Sequence, residues 1–221
     1  MHADEGAMSF LPDLATLLAF VAAAFVLTIT PGPDMTLFLG RTLSEGRAAG
    51  FAAMLGAATG ILVHTSLAAF GISALIAASP EAFLALKIVG AGYLVFLAIQ
   101  AVRGSSTFRL DGTAARRPHS LFSNWLTGIG INLLNPKIIL FFVTFLPQFV
   151  SAQDSDVAGK LFFLGVFFIV LAVPMSAAMI LAADRFAAAL KRRPKIMRGI
   201  DWLFASVFSA FAVKILLTQG R

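Results

Sequence analysis

Two proline-containing segments carry the residues of this sequence that could bind a charged ligand. They are Thr30-Pro31-Gly32-Pro33-Asp34 and Asn135-Pro136-Lys137. The two prolines of the first segment lack amide hydrogens and clash with the preceding turn, so a continuous α-helix through residues 30–33 is not expected. A helix that restarts there presents free amide hydrogens and a positive dipole end, which suit a carboxylate. The alternative is a simple kink whose backbone groups are satisfied by neighbouring helices.

Asp34 is surrounded by a long apolar stretch. A charge in such a stretch of a membrane protein is costly unless it is paired, hydrated or protonated. The carboxylate is predicted either to stabilise the first turn of the restarted helix or to bind a substrate ammonium group or a coupling proton. One carboxylate can serve both purposes, so both roles stay open.

The second segment repeats this logic. Asn135 precedes a proline, which disfavours helical geometry, so it is predicted to cap a helix with Pro136 in its first turn and Lys137 on that turn. The helix dipole and the loss of hydration both disfavour a lysine there. We therefore expect an anionic partner, either Asp34 or a substrate carboxylate. Snorkelling is the alternative, although the central position of Lys137 in its apolar stretch makes escape to an interface difficult.

His64 is an isolated imidazole among Leu, Val, Thr and Ser residues. It is predicted either to carry protons or to hydrogen-bond a helix carbonyl in a packing role. The three histidines lie far apart in the sequence, and cysteine is absent. The sequence also has no HExxH motif, no nucleophile elbow and no Walker loop. We expect no metal site, no cofactor and no enzymatic activity.

The composition indicates the elements that must position these residues. Of the 221 residues, 59% are hydrophobic and 13% are charged, and the mean hydropathy is +0.89. No soluble core needs this much apolar surface, so the chain is predicted to be an integral membrane protein. The net charge of +6 then reflects membrane topology rather than a nucleic-acid partner. The first thirteen residues contain no Lys or Arg, so the first apolar stretch is expected to be retained as a span.

Six long apolar runs predict six transmembrane helices, because a membrane β-barrel would alternate polar and apolar residues. The predicted spans are residues 14–40, 48–77, 82–102, 121–150, 160–183 and 199–218. Of the 17 Lys and Arg residues, 12 fall in the three connections on one side and three on the opposite side. By the positive-inside rule, the first side is cytoplasmic and both termini are periplasmic.

The spans form two halves of three within a single transmembrane domain, residues 1–221. The halves are residues 14–102 and 121–218, and the cytoplasmic loop 103–120 joins them. An odd number of spans per half means that the halves insert in opposite orientations, which is the arrangement of an inverted repeat. We therefore expect an all-α membrane protein with two inverted three-helix repeats, in which the first helix of each half is broken at proline.

Three stretches of the sequence resemble the LysE/RhtB family of bacterial amino-acid exporters. They are TPGPD at 30–34, LKIVGAGYLVFLAIQAVR at 86–103 and GIGINLLNPKIILFFVTFLPQFV at 128–150. The resemblance covers nearly the whole chain and implies an inner-membrane exporter of amino acids or close derivatives, driven by the proton motive force without ATP. By the matching motifs, residues 31–34 would form one half of a central site and residues 135–137 the other.

These expectations describe a multi-pass carrier that exports a zwitterionic amino acid by alternating access. The substrate carboxylate would meet a half-helix N-terminus or Lys137, its ammonium group would meet Asp34, and a proton would move inward through Asp34, aided by His64. The expected partners are an amino acid, protons and the lipid bilayer, and a homo-oligomer is an open possibility. The alternatives are an exporter of another small cation or metabolite, and a membrane enzyme or regulatory subunit that transports nothing.

Overall fold

The computed structural model describes residues 11–103, 119–183, 185 and 194–218, and every regular element in these ranges is helical. The prediction of an all-α chain is confirmed for this part of the protein. The helices are α1 (Leu14–Ile29), α2 (Pro33–Glu45), α3 (Arg47–Ala78), α4 (Pro80–Arg103), α5 (Leu121–Leu133), α6 (Pro136–Leu140), α7 (Val157–Leu181) and α8 (Pro194–Thr218). A π-helical turn (Phe141–Phe145) and a 3-10 turn (Leu146–Phe149) continue α6.

Some sequence-based expectations fall on residues outside the described ranges. They concern most of the predicted cytoplasmic loop 103–120, of which residues 104–118 are not described, and the basic residues within 186–193. They also concern the first ten residues and the last three. The predicted orientation of the chain therefore stays a prediction.

The first and fourth predicted spans are broken at their prolines. The axes of α1 and α2 differ by 51°, and the axis of α5 differs by the same 51° from that of the segment Pro136–Phe149. Prolines that lack an amide hydrogen lie at both breaks, as the sequence predicts. Each half of the chain therefore begins with a bent helix pair.

Up to four segments of the described residues have the length and apolarity that a bilayer requires. Among the described residues, α3 and α7 are each long and apolar enough to cross a membrane. Each bent helix pair also meets this condition when the two helices are taken as one span. Helices α4 and α8 contain 24 and 25 residues. At about 1.5 Å per residue, both exceed a hydrocarbon core of about 30 Å. The large apolar side chains on the outside, such as Phe70 (70% exposed), would contact lipid.

Helices α3 and α5 pack closely because glycines face each other. A Cβ atom at Gly56 would lie 2.0 Å from the carbonyl oxygen of Trp125, and one at Gly128 would lie 2.1 Å from that of Ala53. Any larger side chain would force the two helices apart. A Cβ atom at Gly60 would lie 2.5 Å from Asn132 Oδ1, so this contact also brings the α5 amide towards the centre of the bundle.

A cluster of phenylalanines fills the bundle on one side of the proline breaks. The ring of Phe20 lies 5.3 Å from that of Phe149 and 6.2 Å from that of Phe141, and Phe141 lies 5.1 Å from Phe168. These rings join α1, the α6 segment and α7 near the connection 150–156, which is predicted to be periplasmic. Edge-to-face and tilted contacts pack these rings against one another in one continuous core cluster.

Candidate functional site

The break in the first half is a short extended segment between two helices. Helix α1 ends at Ile29, and both the amide and the hydroxyl of Thr30 donate to the carbonyl oxygen of Val26, at 3.0 and 2.7 Å. Gly32 is extended and precedes α2, and its carbonyl oxygen accepts from the amide of Thr36 at 2.9 Å. The predicted interruption is therefore present, and it leaves the last carbonyl groups of α1 without helical partners.

The break in the second half has the predicted asparagine cap. Asn135 has extended backbone angles, and its side-chain oxygen accepts from the amide of Lys137 at 3.1 Å. Its carbonyl oxygen accepts from the amides of Ile138 and Ile139 at 3.0 and 2.9 Å. Pro136 occupies the first turn, where the missing amide hydrogen costs nothing. This local structure places Lys137 at the start of α6.

Lys137 closes the end of α1 in the other half of the chain. Its ammonium donates to the carbonyl oxygens of Leu27 and Thr30, at 3.0 and 2.7 Å. These acceptors belong to the C-terminal end of α1, where the helix dipole favours a cation. The contact explains how a lysine is tolerated at the start of α6, where the dipole of its own helix opposes it.

Gly32 allows the lysine to approach this closely. A Cβ atom at Gly32 would lie 3.1 Å from Lys137 Nζ and 3.2 Å from its Cε. Any other residue would therefore press on the end of the lysine side chain. The glycine between the two prolines provides space for Lys137, and its extended φ of −168° is open to all residue types.

Asp34 lies in the first turn of α2, as the sequence predicts, and is held by α5. Its Oδ2 accepts a hydrogen bond of 2.7 Å from Asn132 Nδ2. Its other oxygen, Oδ1, is buried and makes no hydrogen bond of normal geometry, although the side-chain amide of Asn135 lies close to the carboxylate. A buried carboxylate oxygen without a donor is costly. It therefore marks a position where a ligand or proton would be stabilised.

Asp34 and Lys137 do not form an ion pair, because neither carboxylate oxygen of Asp34 lies within 4 Å of Lys137 Nζ. The two charges line one cavity and attract each other there without direct contact. The physical reason is that each charge has another partner: the carbonyl groups at the end of α1 hold Lys137, and the amide of Asn132 holds Asp34. Both partners come from the opposite half of the chain.

His64 has the packing contacts that were one of its two predicted roles. Its Nε2 lies 3.4 Å from the carbonyl oxygen of Asn132, and its ring stacks on that of Phe142 at 5.7 Å. The side chain is buried and is not among the residues that line the cavity described below. His64 contacts the same asparagine that holds Asp34.

A cavity of about 530 Å³, counted to its open mouth, joins the two breaks. Asp34 and Lys137 both line it, and Thr28 and Ser176 are its other polar residues. The remaining lining is apolar and comes from α1, α2, α3, α6 and α7. It consists of Leu27, Met35, Phe38, Met54, Ala57, Ala58, Ile61, Ile138, Phe168, Ala172 and Val173.

Asn132 is a site residue that sequence reasoning left without a role. It is fully buried and contacts both Asp34 and His64, and only its tertiary position distinguishes it from the other buried amides.

Among the described residues, no three His, Cys, Asp or Glu side chains are grouped in a way that could hold a metal ion.

Glu45 forms a second polar cluster at the end of α2, which sequence reasoning also missed. Its carboxylate pairs with Arg41 and with His119 Nδ1 (2.9 Å), and it accepts from the His119 amide at 3.0 Å and from Asn124 Nδ2 at 3.1 Å. Its side chain is 8% exposed. The cluster ties the end of α2 to the start of α5. The spacing of Arg41 and Glu45 was the available signal, since residues four apart share a helix face.

Comparison with known proteins identifies relatives along nearly the whole chain. A homoserine/homoserine lactone efflux protein of Salmonella typhimurium is 31% identical over 204 residues, which cover 92% of this chain and 96% of the relative. A leucine efflux protein of Klebsiella pneumoniae is 27% identical over 220 residues and covers both chains fully. A membrane protein of Vibrio cholerae of uncharacterised function is 33% identical over 201 residues, or 89% of this chain and 94% of its own. No solved structure matches the chain.

The model of one protein family covers most of the sequence. The family is described as LysE type translocator, and the match extends over residues 25–219, which include both proline breaks. Proteins of this family are transporters and not enzymes, which confirms the expectation that the chain has no enzymatic activity. With its apolar helices, the chain is a membrane protein, and it belongs to the LysE family of translocators.

Proposed function

We propose that this protein exports amino acids or close derivatives across the bacterial inner membrane, by alternating access and at the expense of the proton motive force. The observation that carries the proposal is the cavity between the two helix breaks. It is lined by the ammonium of Lys137 and by a carboxylate, that of Asp34, with one oxygen unpartnered. Opposite charges at one cavity suit a zwitterion. The relatives named as efflux proteins for homoserine, homoserine lactone and leucine support this substrate class.

In this proposal the two charged groups have separate tasks. The substrate ammonium binds the free Oδ1 of Asp34, and the substrate carboxylate binds Lys137 or the first turn of α2. Asn132 positions Asp34 through its 2.7 Å hydrogen bond, and His64 acts on the site through Asn132. Thr30 contributes its carbonyl oxygen, which keeps Lys137 at the cavity.

The arrangement of the helices supports a six-span inverted repeat. The bent pairs that open the two halves have equal bends of 51°. The second helices of the halves, α3 and α7, pack on each other, and so do the third helices, α4 and α8. A pseudo-two-fold axis would pair like elements in this way.

The position of the cavity supports transport from the cytoplasm outward. Its lining follows α2, α3 and α7 from the breaks towards the α2–α3 connection, which is cytoplasmic in the predicted topology. The phenylalanine cluster fills the opposite side, which would be periplasmic. A carrier in this conformation is open to substrate from the cytoplasm and closed to the exterior. Separation of the phenylalanines would then release the substrate outside.

Protonation of Asp34 would couple export to the proton gradient. A proton that enters from the periplasm neutralises the carboxylate, which weakens its attraction for the substrate ammonium and promotes release. Loss of the proton to the cytoplasm restores the carboxylate for the next substrate. The chain has no nucleotide-binding motif, so the gradient is the energy source that fits this sequence.

The test is export from proteoliposomes that contain the purified protein and one labelled amino acid at a time. We expect at least one amino acid to leave faster than from protein-free liposomes. Asp34→Asn and Lys137→Met should abolish this export. Lys87→Met is the matched control, because Lys87 also donates to a carbonyl oxygen, that of Val150 at 3.2 Å, but does not line the cavity. If no amino acid leaves faster than from empty liposomes, the proposal is wrong.

A further inference from the structure

We infer that the substrate carries an aliphatic or thioether side chain, so that this protein exports amino acids of the leucine and methionine type. The inference rests on the proposed function and specifies its substrate class. It comes from the walls of the cavity, which differ sharply from its charged centre. Once Asp34 and Lys137 bind the backbone groups of an amino acid, the substrate side chain must lie against the remaining lining.

That lining is apolar on three helices. Met35 and Phe38 of α2, Met54 and Ile61 of α3, and Phe168 and Val173 of α7 all contribute to it. These side chains offer no hydrogen bonds to a hydroxyl, ammonium or guanidinium group. A substrate with such a group on its side chain would lose hydration without compensation.

The few polar groups in the lining do not change this conclusion. The hydroxyl of Thr28 donates to the carbonyl oxygen of Ala24 at 2.7 Å, so its hydrogen is already used within α1. The oxygen of Thr28 and the hydroxyl of Ser176 can still accept a hydrogen bond, so a small side-chain hydroxyl is rejected less strongly than a charged group. A basic or acidic side chain would need a charged partner of its own, and the cavity offers none beyond Asp34 and Lys137.

Two features set the size of the accepted side chain. The alanines Ala58 on α3 and Ala172 on α7 leave space in the cavity wall. Met35 and Met54 are unbranched and polarisable, so they can adapt to both branched and linear apolar groups. The lining therefore suits both the branched side chain of leucine and the linear side chain of methionine.

Counterflow by the wild-type protein tests the substrate class. Proteoliposomes are loaded with one unlabelled amino acid, and uptake of the same labelled amino acid is measured for leucine, methionine, homoserine, lysine and glutamate in turn. We expect initial rates for leucine and methionine at least about tenfold above those for lysine and glutamate, whose charged side chains would lose hydration without a partner. Homoserine should be slower than leucine by a smaller factor, since an apolar pocket rejects a hydroxyl less strongly. Equal or faster counterflow of homoserine, lysine or glutamate would overturn this inference and leave the proposed function intact. Absence of counterflow for leucine and methionine would also overturn this inference, whereas the proposed function is overturned only if no amino acid leaves faster than from empty liposomes.

Cavity-filling variants test the assigned wall. Ala58→Leu and Ala172→Leu should each reduce leucine counterflow at least about tenfold, while counterflow of the smaller amino acid alanine is maintained. Ala74→Leu, an exposed position on α3 outside the cavity, is the matched control and should behave as wild type. Unchanged leucine counterflow in a folded Ala58→Leu variant would show that the substrate side chain does not lie here and would overturn the inference.

Discussion

The ammonium of Lys137 lies 2.7 Å from the carbonyl oxygen of Thr30, so a residue of the second half of the chain closes the broken helix of the first half. A second connection runs in the same direction, from Asn132 in the second half to Asp34 in the first. Residues of the second half therefore close the break of the first half, and Asp34 and Lys137 both line the cavity at this contact. Movement of one half relative to the other would change both connections together, as alternating access requires.

Replacement of Lys137 by methionine is expected to lower the stability of the protein as well as stop export. The carbonyl groups of Leu27 and Thr30 would lose their donor, at a cost of about 1–3 kcal/mol for each buried acceptor. The measurement is the thermal unfolding temperature in detergent, with Lys87→Met as the control that loses one lysine–carbonyl bond nearer the end of a span. An unfolding temperature equal to that of the wild type would show that the lysine does not hold the end of α1.

The double variant Asp34→Asn, Lys137→Met is expected to be no more stable than Lys137→Met alone. Removal of one partner of a direct buried ion pair costs about 3–5 kcal/mol, much of which is recovered when the other partner is also removed. These two residues are held by different groups and attract each other only across the shared cavity, so the coupling between their stability losses should be about 0.5–1 kcal/mol, well below that of a direct pair. A large recovery of the unfolding temperature in the double variant would reveal a direct pair and contradict this arrangement.

The polar cluster around Glu45 is expected to stabilise the fold without taking part in transport chemistry. Glu45→Ala removes the acceptor of Asn124 Nδ2 and of the His119 amide, so we expect a loss of about 1–3 kcal/mol in detergent. Asp154→Ala is the control, because Asp154 pairs with Lys160 at 2.7 Å in a more exposed position. Its loss should be below about 1 kcal/mol. Similar losses for the two variants would mean that the Glu45 cluster contributes no more to the free energy of unfolding than a surface ion pair does.

Local chemistry made the two breaks predictable. Proline lacks an amide hydrogen wherever it stands, and an asparagine before proline caps a helix through atoms only a few bonds away. The same reasoning placed the ends of the long helices to within about five residues. It ended the first span at residue 40, before Arg41, whereas α2 continues to Glu45 because Arg41 pairs with Glu45 on the same helix face. Gly46, with a φ of 94°, then ends the helix.

The partners of the two charges could not be predicted in this way. Lys137 binds carbonyl oxygens, and every residue has one, so the sequence contains no signal that selects those of Leu27 and Thr30. Asn132 resembles Asn124 and Gln148 until the packing of α5 against Gly60 brings it to Asp34. Charge complementarity predicted an anionic partner for Lys137, either Asp34 or a substrate carboxylate. The hydrogen bonds of the lysine go to carbonyl groups at the end of α1, where the helix dipole adds to the stabilisation.

The predicted topology can be tested with single cysteines, because the chain has none of its own. Asp4→Cys and Ser155→Cys should react with a membrane-impermeant thiol reagent in intact cells, and Ser44→Cys and Arg116→Cys should react only after the cells are opened. Ser44 and Ser155 are both exposed, so a difference between them reports the side of the membrane and not burial. Labelling of Ser44→Cys but not of Ser155→Cys in intact cells would reverse the orientation and place the cavity on the periplasmic side.

Export against a concentration gradient is expected to depend on the proton gradient, and this dependence should require Asp34. In proteoliposomes with an imposed pH gradient, the wild-type protein should concentrate its substrate, and an uncoupler should abolish the accumulation. Asp34→Asn should lose accumulation because an amide cannot exchange the proton that weakens substrate binding in each cycle. Asp154→Asn, which removes a carboxylate outside the cavity, should accumulate substrate as the wild type does. Accumulation by folded Asp34→Asn protein would assign the coupling proton to another group. Efflux from cells that continues with the gradient collapsed and ATP maintained would mean that the proton motive force does not drive export directly.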